Sequence, residues 1–410
     1  MESGKWVRVA KMHRGITYPV TKADLIKYVT EHGAGGHALR TLEQLRDEEI
    51  ERIFGRSRAI DEIGREERAF AEPPEAQGTW KKDTYQGEAG TREYFVYTPA
   101  NYQPGSAVPL LVMLHGCKQG PEDFAAVTQM NQLADQNKFI VVYPQQTSDD
   151  NLDKCWNWFE PANQSRGSGE PAILAGITQT VQQTPDRWTI DPRRVYVAGL
   201  SAGGAMAVIL GAVYPDVFAA IGVHSGLEYK AATNVQEAVL AMWLLGGPDP
   251  MQQGQLAYHA MGNVARVVPT IVFHGTNDQR VQPVNGQQVA RQWMETDWLA
   301  SQGTYTAAFH KPSSTMHRQV PGGRSYTVET WNDSAGNVVQ AYWKVDGMGH
   351  AWSGGSAGKP FSDPQGPNAS LAMYEFFLAN PWSAFQPRKE ELIFPNVTPK
   401  EVRVLLSSFA

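Results

Sequence analysis

The chain has 410 residues, 42% of them apolar and 19% charged, with a formal net charge of −6. That composition excludes a wholly disordered chain, is compatible with on the order of two to four domains, and lacks the basic excess that nucleic-acid binding calls for. No stretch approaches the roughly 18 consecutive apolar residues of a membrane span, and two cysteines, Cys117 and Cys155, are too few for a disulfide scaffold or a cysteine-rich zinc module.

The first 20 residues carry Lys5, Arg8, Lys11 and Arg14 in polar sequence, with no apolar core of a secretory signal. The expectation is a cytoplasmic protein, with a secreted protein lacking its leader as the alternative. Charge is uneven along the chain. Residues 1–70 hold 13 Lys+Arg and 12 Asp+Glu, and the other 340 hold 23 and 30. The drop in charge density and the linker-like run Glu72-Pro73-Pro74-Glu75-Ala76-Gln77-Gly78 mark a boundary. Three parts are expected: a small charged helical domain over 1–75, a large domain over 76–384 and a tail over 385–410.

In the first part, Thr21 can cap a helix over Lys22–Glu31, a second helix starts near Thr41, and Arg56–Arg68 reads as an exposed third. This part is a candidate for contact with a protein or a polymer. From Thr79 the pattern changes. Arg92–Tyr97 reads as an antiparallel edge strand. Leu110–Leu114, Phe139–Tyr143, Val195–Ala198, Ala219–His224 and Thr270–His274 are short and aliphatic, as parallel strands covered on both faces are. Helical patterns lie between them at Asp123–Asn137, Ala172–Thr184, Ala202–Tyr214 and Val284–Gln302. A hairpin of Tyr326–Asn332 with Val338–Val345 follows, then a helix over Asn368–Leu378. Alternating strand and helix predicts an α/β fold. The tail, with Pro395, Pro399 and the apolar run Val402–Leu406, is expected to pack on the body or on a partner.

Gly199-Leu200-Ser201-Ala202-Gly203 follows a predicted strand and opens a predicted helix, the arrangement of a nucleophile elbow. Such a turn lifts the serine Oγ clear of the backbone, and the flanking glycines leave room where strand and helix meet. A capping serine in a Gly-rich turn is the plainer alternative. Serine needs a base, and the base needs a carboxylate behind it. In this fold order the carboxylate comes second and the histidine last. His350, in Gly347-Met348-Gly349-His350-Ala351-Trp352, follows the last strand and is the candidate base. Asp278, in the turn after Thr270–His274, is the candidate carboxylate. Asp249 falls too early, and Asp346 sits on the same loop as His350. His274 reads as structural. An oxyanion hole needs two preorganised amides. Ala202 N–H is one candidate. The loop His115-Gly116-Cys117 supplies the other, from Cys117, with Gly116 as the fallback.

Several segments together resemble the catalytic domain of poly(3-hydroxybutyrate) depolymerases and related esterases. They are His115-Gly116-Cys117 with Gln119, Cys155-Trp156-Asn157-Trp158-Phe159, Asp191 through Met206 around Gly199-Leu200-Ser201-Ala202-Gly203, His274-Gly275-Thr276-Asn277-Asp278, and Gly349-His350-Ala351-Trp352-Ser353-Gly354-Gly355. The group is similar to feruloyl and acetylxylan esterases. The resemblance covers about residues 80–382. It implies an α/β-hydrolase fold with a mostly parallel central sheet and helices on both faces. It also implies a Ser201–Asp278–His350 triad with Cys117 and Ala202 at the oxyanion hole. The N-terminal part resembles a small bacterial helical domain of unknown function.

Both cysteines fall on segments of this resemblance that frame the site. A Cys117–Cys155 bridge would tie the oxyanion loop to the Trp-Asn-Trp loop; two reduced buried thiols are the alternative. Trp156, Trp158 and Trp352 are candidates for an apolar substrate groove, with core packing as the alternative. No metal site and no cofactor is expected, because the histidines lack ligand spacing and no phosphate-binding loop is present. The expected function is a serine esterase acting on short-chain hydroxyalkanoate polyesters or oligomers. A feruloyl or acetylxylan esterase is the runner-up, and a binding or scaffold protein with a relic hydrolase domain is the non-enzymatic reading.

Overall fold

The computed structural model describes residues 76–382. The helices expected in residues 1–75 and the tail 385–410 lie outside the described residues. In chain order the elements begin with β1 (Thr79–Gly87), β2 (Gly90–Thr98), β3 (Val108–Leu114), α1 (Pro121–Thr128), α2 (Met130–Asn137) and β4 (Ile140–Pro144). Then come α3 (Gly169–Gln182), β5 (Ile190–Leu200), α4 (Ala202–Val213), β6 (Ala220–His224), α5 (Val235–Leu240), α6 (Pro250–Met261), β7 (Thr270–Gly275) and α7 (Val284–Ala300). The last are β8 (Ser314–Gln319), β9 (Ser325–Asn332), β10 (Val338–Val345), β11 (Trp352–Ser353), β12 (Ser362–Asp363) and α8 (Ala369–Ala379).

Ten strands form one sheet in the order β1-β2-β4-β3-β5-β6-β7-β10-β9-β8. The six from β4 to β10 run parallel, and antiparallel pairs close each edge. Every residue of β3 and β4 is buried, which is why their sequences are continuous rather than alternating. Successive side chains still serve opposite faces. Leu110, Val112 and Leu114 join the core with α3, α4 and α7, whereas Leu111 and Met113 join the core with α1, α2 and α8. All twelve residues of α4 are buried, so that helix is apolar all round.

From β3 the chain moves outward to β4, then crosses back to β5 on the other side of β3. The reversal opens a crevice beyond the C-terminal ends of β3 and β5, where open α/β sheets place their ligands. Ser201 follows β5 and His115 follows β3, so both lie at this crevice.

The structure departs from the sequence reading at several elements. The Arg92–Tyr97 segment is not an edge. β2 lies between β1 and β4, and β1 is the edge strand. β1 carries polar, largely exposed side chains, as edges that resist further pairing do, so it has no apolar run to reveal it. The helix expected over Asp123–Asn137 is two helices, because Gln129 adopts a left-handed conformation (φ 55°) that caps α1 and starts α2. Helices α5 and α6 and strand β8 were not expected. Helix α6 contains Gly254, where a Cβ would lie 2.6 Å from Glu295 Cβ, so close packing on α7 requires the residue that weakens the helical pattern.

Candidate active site

Ser201 sits between β5 and α4 with φ 58° and ψ −119°, a strained conformation for a residue with a side chain. The turn is this tight because its glycines touch their surroundings. A Cβ on Gly203 would lie 2.1 Å from Leu114 O, and one on Gly199 would lie 2.3 Å from Gly203 C. The Ser201 N–H donates to His224 O at 2.9 Å, fixing the turn to the end of β6.

Asp278 and His350 come from the loops after β7 and β10. Those loops are stitched together by Thr276 N–H to Val345 O (2.9 Å), Asn277 N–H to Met348 O (3.0 Å) and Gly347 N–H to Thr276 Oγ1 (2.8 Å). His350 Nδ1 lies 2.7 Å from Asp278 Oδ2. The other carboxylate oxygen, Oδ1, accepts from the N–H groups of Arg280 and Val281, each at 2.9 Å. Burial alone would raise the Asp278 pKa. The His350 hydrogen bond, the neighbouring imidazoles and the Val281 N–H outweigh it and hold the group at about 2. An anionic Asp278 can only accept, so Nδ1 of His350 carries the proton and Nε2 keeps its lone pair. Among the described residues Ser201 Oγ makes no hydrogen bond. Such contacts are often long in unliganded enzymes and tighten with substrate. Asp249 has a different place, as the N-cap of α6, accepting from Met251 N–H at 2.9 Å.

Three buried histidines that the sequence reading left without a site role frame these loops. His224 accepts from Ser353 N–H through Nε2 (3.0 Å), and its ring stacks on Trp352 at 4.9 Å. Since its carbonyl holds Ser201 N–H, one residue connects the serine turn with the loop that follows His350. His115 accepts from Gln146 N–H through Nε2 (3.0 Å) and donates from Nδ1 to Gly116 O (2.8 Å). His274 donates from Nε2 to Val281 O at 2.8 Å, behind the Asp278 turn. Burial lowers all three pKa values, to about 4 for His115 and well below the usual range for His224, so these two act as neutral hydrogen-bonding spacers. No residue pattern marks such a role in advance.

In the loop after β3, the Gly116 N–H donates to Gln119 Oε1 at 3.0 Å. No hydrogen bond to another described residue engages the Cys117 N–H or the Ala202 N–H, the latter at the first position of α4. The loop reaches the serine turn closely, since a Cβ on Gly116 would lie 3.5 Å from Ser201 Cβ. Cys117 and Cys155 are bridged across a separation of 38 residues, and Lys118 N–H donates to Asp153 O at 2.6 Å beside the bridge. In the chain-entropy account, closing a loop of that length contributes about 4 kcal/mol. Replacing both cysteines by serine is therefore expected to lower the melting temperature markedly. Two free thiols in the unfolded, unreduced protein would instead show that the bridge does not form.

Behind this loop lies a buried polar network. Glu170 of α3 accepts from Asn157 N–H (2.8 Å), from Asn157 Nδ2 (3.0 Å) and from Gln146 Nε2. Gln146 Oε1 accepts from Arg92 (2.5 Å), and the Gln146 N–H reaches His115. Burial pushes the Glu170 pKa up to about 7 against the pull of these donors. The folded protein thus keeps a proton that the unfolded chain releases from about pH 4.5. The contribution of Glu170 is most favourable below that value, declines as pH rises and levels off above about 7. Glu170→Gln is expected to flatten this decline in a series of melting curves, and parallel profiles for variant and wild type would refute the assignment.

The three tryptophans expected to line a groove are core residues. Trp156 and Trp352 are fully buried and Trp158 is 3% exposed. Trp156 Nε1 donates to His115 O (3.1 Å) and Trp352 Nε1 to Ser370 Oγ (3.0 Å). The loops around the serine need apolar support from beneath, and these rings supply it. The aromatic side chain beside His350 is instead Phe361, half-buried, with its ring edge-on at 6.4 Å.

A parallel-centred sheet with helices on both faces, a strained serine turn after β5 and a His–Asp pair on later loops define the α/β-hydrolase fold. The chain belongs to the esterase PHB depolymerase family, whose profile matches residues 93–309. Residues 7–52 match a second family, described as a protein of unknown function (DUF2795). The chain is 38% identical to poly(3-hydroxyalkanoate) depolymerase C of Paucimonas lemoignei over 50% of its own length and 48% of that protein. It is 29% identical to poly(3-hydroxybutyrate) depolymerase of Ralstonia pickettii, over 69% and 56% of the two chains. Feruloyl esterase B of Thermothelomyces thermophilus is 30% identical, over 49% of this chain and 69% of that one. The chain spans about half the length of the curated depolymerases it matches. Among solved structures, the acetyl xylan esterase from Aspergillus awamori aligns with a TM-score of 0.58 at 20% identity, covering 74% of this chain and all of that one; that likeness is one of fold. Among the described residues, no helix is long and apolar enough to cross a membrane.

Proposed function

We propose that this protein is a serine esterase that hydrolyses short-chain hydroxyalkanoate esters, as polyester or oligomer, through an acyl-enzyme. The observation that carries the reading is the 2.7 Å Asp278–His350 pair, set in loops tied through His224 to the strained Ser201 turn. Ser201 Oγ attacks the ester carbonyl as His350 Nε2 takes its proton, and Asp278 stabilises the imidazolium. The amides of Cys117 and Ala202 hold the oxyanion. Collapse expels the alcohol, which takes the proton back from His350. Water, deprotonated by His350, then attacks the acyl-enzyme, and the acid leaves with Ser201 restored.

Hydroxyalkanoate substrates are favoured by the 38% identity to a depolymerase. A carbohydrate esterase acting on feruloyl or acetyl groups is the second reading. It is supported by the match to a feruloyl esterase over 69% of that protein's length. The N-terminal part, residues 1–75, is proposed to contact a protein or polymer partner. Three measurements test these readings. Hydrolysis of p-nitrophenyl butyrate, with a serine-directed phosphonate recovered on the peptide containing Ser201, is expected; a label elsewhere overturns the nucleophile. Clearing of a polyhydroxybutyrate suspension with no ferulate released from methyl ferulate supports the first reading. The reverse result supports the second.

A further inference from the structure

A strained aromatic stands beside His350, and a cation without a carboxylate partner among the described residues lies over its ring. Phe361 has φ 61°, a left-handed conformation that a bulky side chain rarely adopts and that surrounding structure must impose. The cause is local. Phe361 immediately precedes β12, which pairs in parallel with β11, and Trp352 N–H donates to Phe361 O at 2.8 Å. β11 begins two residues after His350, so this short pair holds the Phe361 ring beside the imidazole. The Arg280 guanidinium lies over the same ring, 5.4 Å from its centroid. The Arg280 N–H is spent on Asp278 Oδ1. Its exposed guanidinium has no carboxylate partner among the described residues, and the nearby Asp278 carboxylate is already occupied by His350 and two amides.

We propose that Arg280, steered by Phe361, binds the terminal carboxylate of a short hydroxyalkanoate oligomer whose ester linkage lies at Ser201. This assignment rests on the esterase reading above and narrows its substrate to soluble oligomeric acids. The chemistry matches at both ends. Each cleavage of a hydroxyalkanoate chain leaves a fragment ending in a free carboxylate, and a guanidinium fork pairs with that group in two parallel hydrogen bonds. The phenyl face covers the apolar stem between carboxylate and ester. A hydroxybutyrate repeat has four chain bonds and spans about 5 Å extended, by the bond geometry that gives about 3.5 Å to a three-bond residue. A short oligomer thus has a length comparable with the separations of His350 (6.4 Å) and of Arg280 (5.4 Å) from the Phe361 ring centre.

The test uses the full chain with three kinds of substrate: the 3-hydroxybutyrate dimer and trimer as free acids, the same oligomers as methyl esters, and p-nitrophenyl butyrate. Wild type is expected to prefer the acids over their methyl esters by about tenfold in kcat/KM, mainly through KM, with the preference eroding as salt rises. In Arg280→Gln the ratio is expected to fall to about one. Because the side chain is exposed, folding is checked simply by the melting curve. A wild type that cleaves p-nitrophenyl butyrate but shows no acid preference overturns the proposal alone. An acid preference that survives in Arg280→Gln overturns it equally. Failure on every ester sinks the esterase reading itself.

Discussion

Ser201→Ala is expected to lower kcat for p-nitrophenyl butyrate by about a million-fold while leaving KM close to wild type. Removing the nucleophile of such a unit costs as much as removing the whole triad, because the remaining members have nothing to activate. Under the proposed mechanism the Cys117 and Ala202 amides survive and still bind ester, but no acyl-enzyme can form. The variant should fold normally. The strained φ at position 201 is imposed by the Gly199 and Gly203 contacts and by the Ser201 N–H bond to His224 O, and alanine keeps that backbone. Steady-state rates with purified variant and wild type decide the matter. Equal rates would place hydrolysis elsewhere than at Ser201.

Asp278→Asn is expected to lower kcat by about ten-thousand-fold. The surroundings dictate how the amide must sit. Arg280 and Val281 present N–H donors to Oδ1, so the asparagine oxygen stays there and its NH2 faces His350. Nδ1 must then accept, the ring proton moves to Nε2, and the base loses the lone pair that Ser201 needs. The wild-type carboxylate, held at about 2, is ionised across any practical assay range. Its depressed pKa contributes stability that is fully present above the ordinary value of 3.8 and fades as pH falls through about 2. The variant should therefore be less stable than wild type above about pH 4. A variant with unaltered kcat, or with a loss confined to KM, would remove Asp278 from the triad.

The serine turn was legible because its requirements are local. Gly199 and Gly203 must lack side chains for β5 and α4 to meet, and that constraint is written within five residues. The buried strands were legible for a similar reason, since β3 and β4 face apolar layers on both sides and carry no polar position. Strands β1 and β8 escaped notice because edges exposed to water need no apolar signature. Helix α6 escaped because Gly254 serves a neighbour rather than its own helix. The tryptophans were misplaced because the residue type alone does not say whether a ring lies above the serine or beneath the loop that carries it.

What the amino-acid sequence determined by itself is the order of chemical groups along the chain and the local turns that expose them: serine after β5, aspartate after β7, histidine after β10. Only the tertiary structure decided which polar groups meet. Asp278 reaches His350 across 72 residues, and His224 reaches Ser353 across 129. The neutral state of His115 and His224 and the raised pKa of Glu170 follow from burial. Phe361, at positive φ next to a two-residue strand pair, is brought beside His350 in the same way. Hydrogen-bond partners that far apart leave no periodicity in the chain, and burial is a property of the assembled layers rather than of any one segment.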